Sequence, residues 1–212
     1  MKSDLRIRNL IKALKRAYPH ATCALNFSNP FQLLVATILS AQCTDKRVNL
    51  VTPPLFRKYP TPAHFAQVSQ SQLENEIRST GFFHQKARWI RQTARTLLEK
   101  FEGRVPKTME EMLTLPGVAR KTANVVLGTG YGIASGIIVD THVKRLSGRL
   151  GLSREEDPVK IEKDLVTLLP ATDWIWFGHA LTTHGREVCV ARTPRCPICP
   201  VRRWCPYPVK TG

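Results

Sequence analysis

Residues Met112–Leu127 read MLTLPGVARKTANVVL, and this stretch decides the fold. A short apolar helix runs into Leu115-Pro116-Gly117-Val118, and a second helix begins at once. Proline cannot continue the first helix, and glycine allows the tight backbone that the reversal needs. Such a hairpin presents unpaired N–H groups at a helix start. With the positive end of the helix dipole, they favour a phosphate. Pro-Gly alone would suit any helix–helix turn. The full string is more demanding, because Lys121 lies one turn into the second helix and Ala123 is small enough for close packing.

Outward from this hairpin the chain reads as helix almost throughout. Residues 5–18 place Leu10, Ile11, Leu14 and Tyr18 on one face. Ser28-Asn29-Pro30 predicts a helix start, with a capping side chain and proline in the first turn. The segment that follows, FQLLVATILSA, is apolar nearly all round and predicts a buried helix. Thr61-Pro62 and the capping box Ser71-x-x-Glu74 predict two more starts. Residues 84–101 repeat Ala87, Ile90, Ala94, Leu97, Leu98 and Phe101 at helical spacing. A second box, Thr108-x-x-Glu111, opens the short helix before the hairpin, and Asp157-Pro158 and Thr172 open the last two long helices. No alternating run predicts a strand, so the expected class is all-α.

The 212 residues carry 32 Lys and Arg against 16 Asp and Glu, a net charge of +16. Such a chain is drawn to polyanions, because each neutralised phosphate releases a counterion. Charge alone does not separate DNA from RNA or an anionic membrane. No apolar run is long enough to span a bilayer, and charges interrupt Met1–Leu14 where a secretory signal would need an apolar core. The expected compartment is the cytoplasm, with nucleoid association in a bacterium. There, clustered cysteines point to metal rather than disulfides. Cys23 and Cys43 stand alone, whereas Cys189, Cys196, Cys199 and Cys205 crowd together in a segment rich in Pro and Arg. Only the Cys196–Cys199 gap is short, whereas a structural zinc site more often uses two short pairs. Arg186, Arg192, Arg195, Arg202 and Arg203 surround these thiols, opposed by Glu187.

LPGVARKTANVV resembles the helix–hairpin–helix of the endonuclease III family, and Val139–Arg145 (VDTHVKR) resembles that family's VDTHV segment. The likeness extends to Leu39-Ser40-Ala41-Gln42, to Leu25-Asn26-Phe27 and to the cysteine spacing, so it covers essentially the whole chain. It implies two helical domains with a cleft between them: residues 22–133 with the hairpin, and residues 1–21 with 134–212 around a 4Fe–4S cluster. Cys189, Cys196, Cys199 and Cys205 would hold that cluster. The implied activity is base-excision repair by a monomer acting on double-stranded DNA. It removes oxidised pyrimidines such as thymine glycol, then cleaves the abasic site.

The same resemblance assigns roles. Lys121 is the nucleophile that forms a Schiff base, and Asp140 is the carboxylate that stabilises oxocarbenium-like charge. The residues themselves agree. A first-turn position and the neighbouring Arg120 both disfavour an ammonium at Lys121. Asp140 follows the apolar run Ile137-Ile138-Val139 and suits the cap of a helix over 141–150. Leu115, Gly117, Val118, Ala119 and Arg120 form the phosphate-binding hairpin, and Arg195 meets the backbone from the cysteine loop. Ser40 and Gln42 belong to the segment that fills the gap left by a flipped base, with Phe82 as a second wedge. Three residues depart from the family: Ala119 replaces a usual Gly, tolerable if the residue is helical, Cys43 replaces a usual Ala, and Phe82 stands where Leu is common, with a core position as its alternative reading. The rival readings are a monofunctional adenine or mismatch glycosylase, which Lys121 argues against, and a non-enzymatic DNA-binding protein with a four-cysteine metal site.

Overall fold

A computed structural model describes residues 2–208 of the chain. The expected cluster domain also takes in Met1 and residues 209–212, which lie outside the described residues. Two compact units emerge: Cys23–Ser135, and Met1–Thr22 together with Gly136–Gly212. Helix α1 (Lys2–Ala17) belongs to the discontinuous unit. The continuous unit holds α2 (Pro30–Leu39), α3 (Asp45–Lys58), α4 (Pro62–Gln67), α5 (Gln70–Ile77), α6 (Phe83–Phe101), α7 (Met109–Met112) and α8 (Arg120–Val125). The chain then returns to the discontinuous unit with α9 (Thr141–Arg149), α10 (Pro158–Val166) and α11 (Trp174–Glu187). Among the described residues there is no strand.

In the continuous unit, α2 is the central element. Asn29 caps it by accepting from the Gln32 N–H at 2.9 Å, and Pro30 fills the first turn. Phe31 and every residue from Leu33 to Leu39 are buried, which places the all-round apolar segment in the core. Each fully buried leucine there contributes about 1.5–3 kcal/mol of transfer free energy. On α6, Ala87, Ile90, Ala94 and Leu97 are buried, but Leu98 is 42% exposed. The six-residue repeat therefore overstates the buried stripe on that side.

Some expected boundaries move. The cap of α5 is Ser69, which accepts from the Gln72 N–H at 3.2 Å; Ser71 lies inside the helix. The last long helix starts at Trp174, after a 3-10 turn over Ala171–Asp173, rather than at Thr172. Helix α3 has no counterpart in the sequence reading, because Pro53 and Pro54 mask it. Thr44 caps it and Val48, Leu55 and Phe56 anchor it in the core, which outweighs the lost backbone hydrogen bonds. Helix α8 widens into a π-helical turn over Val126–Gly130.

In the discontinuous unit, Leu10 and Leu14 of α1 join Val143, Leu146, Phe177 and Leu181 in one core. The Arg6 guanidinium donates to the carbonyls of Leu150 and Trp204, both at 2.9 Å. Trp176 Nε1 donates to the Tyr18 carbonyl at 2.7 Å, and Lys15 pairs with Asp173.

Candidate active site and metal centre

The hairpin is built by its own backbone and by α6. Val118 N–H donates to the Leu115 carbonyl at 3.2 Å, closing the turn. Gly117 has φ +74°, the left-handed region that only glycine enters freely. A β-carbon there would also meet Trp89 Cγ at 2.7 Å. Thr93 Oγ1 donates to the Pro116 carbonyl at 2.6 Å. Trp89 and Thr93, one turn apart on α6, thus support the hairpin from beneath, and neither is marked by any sequence motif. Leu115 and Val118 are buried anchors, whereas Ala119 is exposed.

Ala119 is not helical. It is the N-cap of α8, in extended backbone at φ −93° and ψ 168°. Its negative φ is why alanine is accepted where a glycine is usual. Ala119 supplies no side-chain cap to α8. Lys121 sits in the first turn of α8, exposed to solvent, with Arg120 partly buried beside it.

Asp140 caps α9. Its Oδ1 accepts from the N–H groups of His142 and Val143, each at 2.8 Å. Thr182 of α11 lies 3.3 Å from Oδ2 and donates also to the Gly178 carbonyl. One oxygen is thus fixed by the backbone, and the other is only weakly engaged. Lys144, on the same helix, forms an ion pair with Glu156 at 2.8 Å.

Gln42 and Phe82 share an uncommon backbone. Among the described residues, the non-glycine residues with positive φ are Gln42 at 51°, Phe82 at 47° and Glu102 at 55°. Glu102 ends α6 as a left-handed cap. Gln42 is exposed, Phe82 is 65% exposed, and Ser40 turns its hydroxyl back onto the Thr37 carbonyl. Phe82 is therefore no core residue. Ser40 is the C-cap residue of α2.

The four clustered cysteines, none of them in a disulfide, line one cavity with Arg149, His184 and Tyr207. Burial pushes the Cys199 thiol up to about 11 and raises that of Cys205. Thiolates there need compensating positive charge. Some comes from Arg149, whose Nη1 lies 3.4 Å from Cys189 Sγ. A metal centre would supply the rest, so the donor set fits one chemically. Among the described residues no three His, Cys, Asp or Glu converge on a single-ion site. The thiols instead ring a shared space. Burial lowers His184 to about 4, so its ring is neutral, and raises Tyr18 to about 12. The Tyr18 hydroxyl therefore donates to His184 Nδ1 at 2.9 Å, which leaves Nε2–H facing Cys199 Sγ at 3.6 Å. Arg195 is exposed on this loop. Arg145 braces the loop by donating to the carbonyls of Gly185 and Cys189 at 2.9 and 3.0 Å.

Comparison with known proteins agrees with this geometry. Residues 35–171 match the model of the HhH-GPD superfamily base excision DNA repair protein. Endonuclease III of Synechocystis sp. is 54% identical over 201 residues, covering 95% of this chain and 92% of that one. A non-covalent endonuclease III–DNA complex superposes with a TM-score of 0.92 at 43% identity, covering 96% of this chain and 95% of the other. A trapped endonuclease III–DNA covalent intermediate with an estranged adenine gives the same TM-score, 0.92, at 42% identity and the same coverage, 96% and 95%. No helix among the described residues is long and apolar enough to cross a membrane. The chain belongs to the HhH-GPD superfamily of base excision DNA repair proteins and, within it, to the endonuclease III family.

Proposed function

We propose that this protein is a bifunctional DNA glycosylase and abasic-site lyase that removes oxidised pyrimidines, such as thymine glycol, from duplex DNA. The observation that carries the reading is the exposed amine of Lys121 in the first turn of the helix that the hairpin opens. A monofunctional glycosylase needs no amine there.

The chemistry divides between two side chains. As the bond from C1′ to the base breaks, the sugar gains oxocarbenium-like positive charge. The Asp140 carboxylate stabilises that charge, because two backbone N–H groups hold its Oδ1 while Oδ2 is left weakly engaged. Lys121 Nζ forms a bond to C1′, and the base departs with the former C1′–N electron pair and a proton. The sugar ring opens as O4′ takes up a proton from solvent, giving a protonated Schiff base. Loss of a C2′ proton then expels the 3′ phosphate, and water hydrolyses the imine to free Lys121. The hairpin around Gly117 and Val118 holds a backbone phosphate, and Gln42 and Phe82 fill the space vacated by the flipped nucleotide.

Cys189, Cys196, Cys199 and Cys205 would hold a 4Fe–4S cluster, which ties the basic loop into the fold rather than entering the reaction. The ring of thiols around one space suits a polynuclear centre. Thiolate ligation requires a reducing compartment, which favours the cytoplasm.

Borohydride trapping on duplexes that contain thymine glycol, an abasic site or no lesion tests the reading. A covalent adduct is expected with the first two and not with the third. Base release from thymine glycol without any trapped adduct would overturn the lyase assignment.

A further inference from the structure

Lys86 is the one lysine among the largest fully buried side chains, at 1% exposure. It lies in the first turn of α6, where the helix dipole disfavours a cation. Among the described residues no carboxylate is bonded to it. Its Nζ donates instead to the Leu39 carbonyl at 2.8 Å and to the Thr80 carbonyl at 2.8 Å. A buried ammonium without a carboxylate is costly, and burial lowers the pKa of this one. The arrangement therefore calls for a reason beyond core packing, where leucine or methionine would serve better.

The two carbonyls supply it. Leu39 ends α2, and Gln42 follows three residues later with φ 51°. Thr80 ends the 3-10 turn before Gly81, at φ 70°, and Phe82, at φ 47°. One ammonium thus ties together the roots of the two segments that carry Gln42 and Phe82. Left-handed backbone at a non-glycine residue is strained and persists only where the surroundings over-determine it.

We infer that Lys86 is a positioning residue that sets Gln42 and Phe82 jointly, so that both side chains fill a vacated base site as one preformed pair. The inference rests on the proposed gap-filling role of those two residues. Lys86 itself is buried and touches no DNA. It acts by fixing the two carbonyls, and with them the backbone that aims each side chain.

The test is the ratio of affinities for a duplex with a tetrahydrofuran abasic analogue and for the same duplex undamaged, in the full-length protein. Lys86→Met should lower that ratio about tenfold, the scale of losing one or two hydrogen bonds. Lys86→Arg, which can still reach two carbonyls, should restore most of it. An equal loss on both duplexes would mean that Lys86 only supports the fold, and would overturn the inference. Gln42→Ala and Phe82→Ala are measured with Lys86 intact and with Lys86→Met. Joint positioning requires each alanine to cost less in the Met background; full additivity would refute it. If both alanine variants keep the wild-type ratio while Lys86 is intact, the gap-filling reading itself fails, which is a different result. Should Lys86→Met not fold, Lys86→Gln, which keeps a donor for one carbonyl, is put through the same comparison.

Discussion

Trp89 Cγ lies 2.7 Å from the place a β-carbon on Gly117 would occupy, so the hairpin glycine is required twice, by its φ of +74° and by its neighbour. The close atoms include Trp89 Cβ, at 2.8 Å, which cannot swing aside without moving α6. Gly117→Ala should cost about 2–4 kcal/mol, combining left-handed strain with overpacking. In a Trp89→Ala background, which removes the ring but keeps the β-carbon at 2.8 Å, the same change should cost about 1 kcal/mol less. Urea unfolding of the four proteins measures both, and equal costs in the two backgrounds would show that Trp89 does not confine the turn.

Lys121→Gln should abolish borohydride trapping and strand cleavage while damaged DNA still binds, because the side chain keeps its shape and loses only the amine. Lys144 is the next amine along the chain to consider, but its ion pair with Glu156 already engages it. A covalent adduct formed by Lys121→Gln at the wild-type rate would move the nucleophile elsewhere.

Asp140 caps a helix as well as carrying charge, and the two roles separate by substitution. Asparagine caps about as well as aspartate, so Asp140→Asn should leave the melting temperature nearly unchanged. Base removal should fall by about 10² or more, the scale of losing one electrostatic group. Cleavage of a preformed abasic site should fall less, since no glycosidic bond remains to be broken. Thr182→Val, which removes the weak contact to Oδ2, should cost less than Asp140→Asn in the same assay.

Protein purified without air should be yellow-brown, with iron and acid-labile sulfide in similar amounts. Cys199→Ser should lose colour and stability together and disturb the chemistry of any folded fraction much less. A colourless, folded wild-type protein containing stoichiometric zinc would refute the cluster.

The net charge of +16 should make binding to undamaged DNA steeply salt-dependent. With about five phosphates contacted, affinity should fall by roughly two to three decades between about 50 and 200 mM salt. Arg195→Ala should reduce the slope of log K against log salt by about one if it meets a phosphate. A slope near zero for the wild type would contradict the electrostatic reading.

What could be read from sequence was local chemistry. Pro116 and Gly117 announce the turn, Asn29 and Asp157 announce their helices, and the apolar segment after Pro30 announces its burial, because each signal lies within a few residues of its effect. Helix α3 was hidden by Pro53 and Pro54, whose local penalty is overridden by the burial of Val48, Leu55 and Phe56. Ser69 and Ser71 are equally good caps in sequence, and only packing chooses between them. Ala119 was allowed for as helical, yet it is extended, because it stands one residue before the helix rather than within it. Trp89 under Gly117, Thr182 beside Asp140 and Lys86 beneath two carbonyls are tertiary relationships, and no periodicity records them.

The discontinuous unit also dictates an order of events on the ribosome. The Arg6 guanidinium reaches a carbonyl 198 residues further along the chain, at Trp204. Helix α1 is therefore synthesised well before the elements that cover it. The uninterrupted unit Cys23–Ser135 can close while the rest is still being translated. Throughout that interval Leu10 and Leu14 lack their core partners, and the nascent chain carries an uncovered apolar stripe. Such a stripe is the kind of surface that holdase chaperones bind until α9, α10 and α11 emerge and cover it.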